Sequence, residues 1–102
     1  MPKEKNPTDP VHPGEILLED FMKAAGITIN GLARELRVPT TRISALVNGA
    51  RGITADTALR LARYFSTSSN LSMNLQADFD LRTAANASRV EIERSVRPRS
   101  AA

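Results

Sequence analysis

Apolar residues along this chain recur at helical spacing, in clusters separated by short polar breaks. Ile16, Leu17, Phe21 and Met22 make the first cluster. They predict an amphipathic helix that ends at Ala24-Ala25, with Gly26 just past the end. His12-Pro13-Gly14 opens it, and Pro13 suits a first helical position. A second helix is expected from about Ile29 to Leu36, with Thr28 as its N-cap and Leu32, Ala33 and Leu36 on the apolar side. Arg37-Val38-Pro39 interrupts the period, since a residue before proline is biased away from the α region. A third helix follows from about Thr40 to Val47, with Ile43, Leu46 and Val47 apolar and Asn48-Gly49 as the stop. Two short helices around a tight turn are a helix-turn-helix pattern.

After the loop Ala50-Arg51-Gly52-Ile53, Thr54 caps a fourth helix whose stripe is Ala58, Leu59, Leu61, Ala62 and Phe65. Ser66 to Asn70 is a polar break. A fifth helix is expected from about Asn70 to Ala85, with Leu71, Leu75 and Phe79 along one face and Met73 and Leu81 on others. Apolar residues on more than one side of a closing helix make Leu71, Leu75 and Phe79 a candidate dimer surface; the alternative is that they only close the bundle. Residues 89–96 alternate apolar and polar through Ile92, a weak strand signal that could equally continue as helix. The predicted organisation is an N-terminal arm (1–11), an all-α domain of five helices (12–85) and a tail (86–102) that is a candidate dimer- or partner-binding segment.

Composition narrows the function. With 102 residues there is room for one core, and with 4% aromatic residues it must be built from Leu, Ile, Val and Ala. There is no cysteine, which excludes disulfides, thiolate metal sites and a thiol nucleophile and fits a cytoplasmic setting. No apolar run approaches the ~18 residues of a membrane span. The net charge is +3, unevenly spread: residues 1–33 carry −2, residues 34–63 carry +4 and the remainder +1. Arg34, Arg37, Arg42, Arg51, Arg60 and Arg63 supply the central excess, on and just after the helix-turn-helix. A polyanionic partner is favoured there. Arg60 and Arg63 could instead cap helix ends or pair with nearby acids.

The outer side of the third helix carries Thr40, Thr41, Arg42, Ser44, Ala45 and Asn48, short or forked side chains with no acid among them. Such a surface can enter the DNA major groove, where Arg pairs with guanine, Asn with adenine, and Thr or Ala meets the thymine methyl; the alternative is a solvated polar face on an ordinary helix hairpin. Arg51, just beyond it, is a phosphate candidate, and a solvent-exposed loop arginine is the alternative. Catalysis has little to stand on. His12 is the only histidine, Asp78 and Asp80 point apart on a helix, and no metal or cofactor site is evident.

With the whole pattern laid out, the chain resembles the HigA/VapI antitoxin family within the Cro/C1-type (XRE) helix-turn-helix repressors. HPGEILLEDFM (12–22) resembles the family's opening helix, residues 27–65 its repressor core including the NG-R-GIT segment, and LSMNLQADFDL (71–81) its closing helix. The resemblance implies a lambda-repressor-like DNA-binding fold and a homodimer on a pseudo-palindromic operator, with half-sites about 34–36 Å apart. It also implies a toxin partner, a RelE-like mRNA endonuclease from an adjacent gene. Base edges would be met by Thr40, Thr41, Arg42, Ser44, Ala45 and Asn48, and phosphates by Thr28, Asn30 and Arg51. The chain departs from the pattern at Arg37, where glycine is common in the turn, at Ile29 and Thr40, where glutamine often opens the two helices, and at Ser72, where tryptophan is common. A stand-alone repressor without a toxin, or an interaction module that has lost DNA binding, are the alternatives.

Overall fold

The computed structural model describes residues 9–100, and within them the chain is all-helical, with five helices and no strand. Helix α1 covers residues 13–25, α2 Ile29–Leu36, α3 Thr40–Val47, α4 Ala55–Phe65 and α5 Ser69–Ser95. The N-terminal arm of residues 1–11 lies largely outside the described residues.

Helix α1 is not uniform. It begins as an α-turn at Pro13–Ile16, widens to a π-helix over Leu17–Met22 and closes as α at Lys23–Ala25. The wider turn brings residues five apart onto one side. Leu17 and Met22 are accordingly both buried, while Phe21 is half-buried. Gly26 ends the helix in the left-handed region, at φ 66°. At the other end Pro13 occupies the first helical position, and the Nδ1 of His12 accepts from the Gly14 amide at 2.9 Å. Gly14 packs directly on the Leu46 carbonyl, so the start of α1 meets the end of α3 without a side chain between them.

The helix-turn-helix is closed by local signals. The Thr28 hydroxyl accepts from Gly31 N at 3.0 Å. Arg37 adopts the left-handed conformation (φ 59°, ψ 44°) and lets Val38 N donate to Ala33 O at 3.0 Å. That is a Schellman-type ending made with arginine where glycine would be free of strain. The strain, on the order of 1 kcal/mol, is offset by the two carbonyls it satisfies and by half-buried Val38 packing on the core. Pro39 is extended at φ −61° and ψ 143° and launches α3. Ser66 repeats the left-handed ending after α4, at φ 56°.

The core is Leu17, Met22, Leu32, Ala33, Leu36, Ile43, Leu46, Ile53, Ala58 and Leu61, ringed by Leu18, Phe21, Ile27, Ile29, Val38, Val47 and Phe65. Leu59 does not join it. Ala58, Leu61 and Phe65, at i, i+3 and i+7, take the inward side of α4, which leaves Leu59 63% exposed. Helix α5 differs most from expectation. It runs unbroken through Ser95, so the weak strand signal over 89–96 is overturned, and from Arg89 to Ser100 every residue is exposed. No glycine or proline interrupts residues 69–95, and Pro98 follows the extended Val96 cap.

Candidate nucleic-acid interface

Burying Ile43 and Leu46 turns the opposite side of α3 outward. Thr40, Thr41 and Asn48 are exposed there, and Ser44 and Ala45 are half-exposed. Asn48 Nδ2 and Ser44 Oγ lie 3.5 Å apart, at the limit of a hydrogen bond, so both remain available to a ligand. Arg42 stands apart from the other five. It sits on the flank of α3 nearest α4, its side chain is 30% exposed, and its Nη1 donates to Asp56 Oδ2 at 2.7 Å.

Asp56 is the centre of a small network. The same Oδ2 accepts from Arg60 Nε at 2.9 Å, and Arg60 Nη1 donates to the Leu36 carbonyl oxygen at 2.8 Å. Arg60 therefore does both things its position allowed: it pairs with an acid one turn away and caps the end of α2. The hydrogen bond from Arg60, and then that from Arg42, holds the Asp56 carboxyl below its ordinary value of 3.8. The i, i+4 spacing of Asp56 and Arg60 was visible in the sequence. The Arg42–Asp56 contact joins different helices and had no local signal.

The loop after α3 is wound rather than loose. Gly49 takes φ 79°, Ala50 N donates to Ala45 O at 2.9 Å and Arg51 N to the same oxygen at 3.2 Å. Gln76 of α5 grips the loop from behind, its Oε1 accepting from Ile53 N at 2.7 Å. Its amide also packs so closely on Gly52 that a Cβ there would come within 2.8 Å of it. Sequence reasoning gave Gln76 no role, because a glutamine on a helix face announces no partner. Arg51 is thereby fixed next to α3, exposed, and lines one open groove with Arg42, Thr54 and Asp56.

Thr28 and Asn30 are exposed at the N-terminal end of α2. The Thr28 oxygen accepts the cap bond from Gly31, which leaves its O–H free to donate. The helical face assigned to a dimer is only partly free. Leu71 is 41% exposed, but Leu75 and Phe79 turn toward the domain, and Phe79 meets the His12 ring edge-on at 4.8 Å. Besides Leu71, the large apolar side chains that α5 leaves outside are Met73, Leu81, Val90 and Ile92. Among the described residues no group of three or more His, Asp or Glu is placed to hold a metal ion, and no helix is long and apolar enough to cross a membrane.

The helix-turn-helix family profile matches residues 18–71, from within α1 to the start of α5. Virulence-associated protein I of Dichelobacter nodosus is 45% identical over 84 residues, which covers 82% of this chain and 78% of that one. The structure of an addiction module antidote protein of the HigA family from Coxiella burnetii superposes with a TM-score of 0.85 at 46% identity, over 89% of this chain and 99% of that one. The chain belongs to the HigA-type helix-turn-helix family. The Pseudomonas aeruginosa antitoxin HigA, solved with the higBA promoter, superposes with a TM-score of 0.85 at 44% identity, over 87% of this chain and 97% of that one. The HigA-type match thus takes in all five helices, including the opening and closing segments that a bare helix-turn-helix would not share.

Proposed function

We propose that this protein is an operator-binding antitoxin that represses its own operon as a homodimer and neutralises a RelE-like mRNA endonuclease encoded beside it. The observation that carries the reading is the acid-free outer face of α3, with Arg51 tied against it, on a fold shared almost end to end with a HigA that was solved on its promoter. Thr40, Thr41, Arg42, Ser44, Ala45 and Asn48 meet base edges, and Thr28, Asn30 and Arg51 meet phosphates. The protein acts in the cytoplasm as a binding protein rather than an enzyme, and without a cofactor. The dimer forms along α5, through exposed Leu71 and Leu81, with Leu75 and Phe79 supporting that helix from the domain side.

The test is a mobility-shift titration on the DNA just upstream of the coding sequence, at two salt concentrations, against a scrambled duplex. Specific, salt-sensitive binding with two subunits per site is expected. Equal binding to the scrambled duplex would remove the repressor reading. Co-purification with the product of the adjacent gene tests the antitoxin half separately.

A further inference from the structure

We propose that Asp56 is a specificity-determining residue: it holds one edge of the Arg42 guanidinium so that the other edge is presented to a guanine in the operator. The proposal rests on the operator-binding reading above and deepens it.

Arg42 is the longest of the six outward side chains on α3, and it lies on the flank of the helix. An unheld arginine there would sample many rotamers and would have to be ordered on meeting DNA. It is not unheld. Its Nη1 is fixed on Asp56 Oδ2 at 2.7 Å. Asp56 is in turn fixed by Arg60 Nε, and Arg60 by the Leu36 carbonyl at the end of α2. The chain of bonds ends on the backbone of the other motif helix, so the guanidinium is referenced to the scaffold that docks it.

The chemistry of the free edge is defined. One of the five guanidinium N–H groups is occupied by Asp56, and among the described residues the Nε–Nη2 edge has no hydrogen-bond partner. Two parallel donors in that geometry match the N7 and O6 acceptors of guanine in the major groove. The carboxylate stands between two guanidinium groups, so the cluster keeps one net positive charge and does not repel the phosphates. A lone acid at this place would cost affinity on every sequence. An acid clamped between Arg42 and Arg60 restricts what Arg42 can read.

The experiment compares the full chain with Arg42→Ala, Asp56→Ala and the double variant, in competition binding against operators in which each base pair is changed in turn. Arg42→Ala is expected to erase the preference at one base-pair position. Asp56→Ala should reduce the preference at that same position by roughly fivefold or more, and the double variant should be no worse there than Arg42→Ala. Asp56→Leu, which keeps the branched shape of the side chain and offers no acceptor to Arg42, is run beside it and should move the same position should Asp56→Ala prove unstable. Uniform weakening on all duplexes, or losses at that position that simply multiply, would overturn the proposal and reduce Asp56 to a structural residue. Loss of affinity without loss of base preference in Arg42→Ala would overturn it too, by making Arg42 a phosphate contact. If the unaltered protein does not prefer operator to scrambled duplex, the operator-binding reading falls first and this proposal with it.

Discussion

Arg60 Nη1 donates to the Leu36 carbonyl oxygen at 2.8 Å, across 24 positions of sequence, and this bond ties the fourth helix to the end of the second. The carbonyl belongs to the last turn of α2, where no intrahelical donor is available to it. Without the guanidinium it would depend on water at a half-buried site.

Arg60→Ala is therefore expected to lower stability by about 1–2 kcal/mol, the range for a charge-assisted bond to a partly buried acceptor. For a domain of this size that corresponds to a fall of several degrees in melting temperature. Chemical denaturation with an unchanged m-value checks it. A change below about 0.3 kcal/mol would mean that water replaces the guanidinium at no cost.

Gly14 is a second point where two helices touch directly. A Cβ on it would overlap the Leu46 carbonyl, a backbone atom that cannot swing aside. Gly14→Ala should force α1 away from α3 and destabilise by roughly 1–3 kcal/mol, the usual cost of overpacking. Gly31 offers the control. A Cβ there meets the Ile27 side chain at 3.1 Å and the Thr28 hydroxyl at 3.2 Å, and the first of these can adjust. Gly31→Ala should cost less than Gly14→Ala in the same melt, and the reverse order would put the tight contact elsewhere.

The Asp56 carboxyl gives stability an acid limb with a definite sign. Its folded pKa lies below the ordinary value of 3.8, so its contribution is fully present above that value. The contribution is lost as pH falls through the lower, folded value. The gap in melting temperature between the unaltered protein and Asp56→Asn should be constant near neutral pH and should close as the pH drops below 3.8. Taking the difference between the two proteins removes the other carboxylates from the comparison. A gap that persists at the acid end would show that Asp56 stabilises through its shape or its place in the first turn of α4, rather than through its charge.

What could be read from the sequence was local. Thr28 and Thr54 cap their helices, Gly26 and Gly49 take positive φ, and Pro39 opens α3, because each of these roles is decided within three or four residues. The left-handed Arg37 was hinted at only by the resemblance, which has glycine at that place in the turn. Beyond that reach the sequence spoke less clearly. The alternation over Arg89–Val96 suggested a strand, but Ala84, Ala85, Ala87, Glu91, Glu93 and Arg94 favour helix and nothing breaks it before Pro98. Leu75 and Phe79 were assigned to a partner surface on spacing alone. Both are half-buried, and Phe79 meets His12, which is far away in sequence. The site itself divided in the same way. The outer residues of α3 were legible from its own period, whereas the bonds that hold Arg42 and the loop come from α4 and α5.

That division can be tested at the loop. Gln76 holds it through Ile53 N at 2.7 Å, and Arg51 is the charge the loop carries toward the DNA. Arg51→Ala removes a phosphate contact, so it should weaken operator and scrambled duplex alike and reduce the salt slope of log K by about 1. Gln76→Ala leaves every charge in place. It should weaken binding severalfold by letting the loop move, with the salt slope unchanged, since the number of neutralised phosphates is the same. Hydrogen exchange at Ile53 N reports the loosening independently. If Gln76→Ala speeds that exchange and binding does not change, the loop's order is not used in recognition. If Arg51→Ala leaves the slope where it was, Arg51 is a solvent-facing arginine and the phosphate contacts of this interface lie elsewhere.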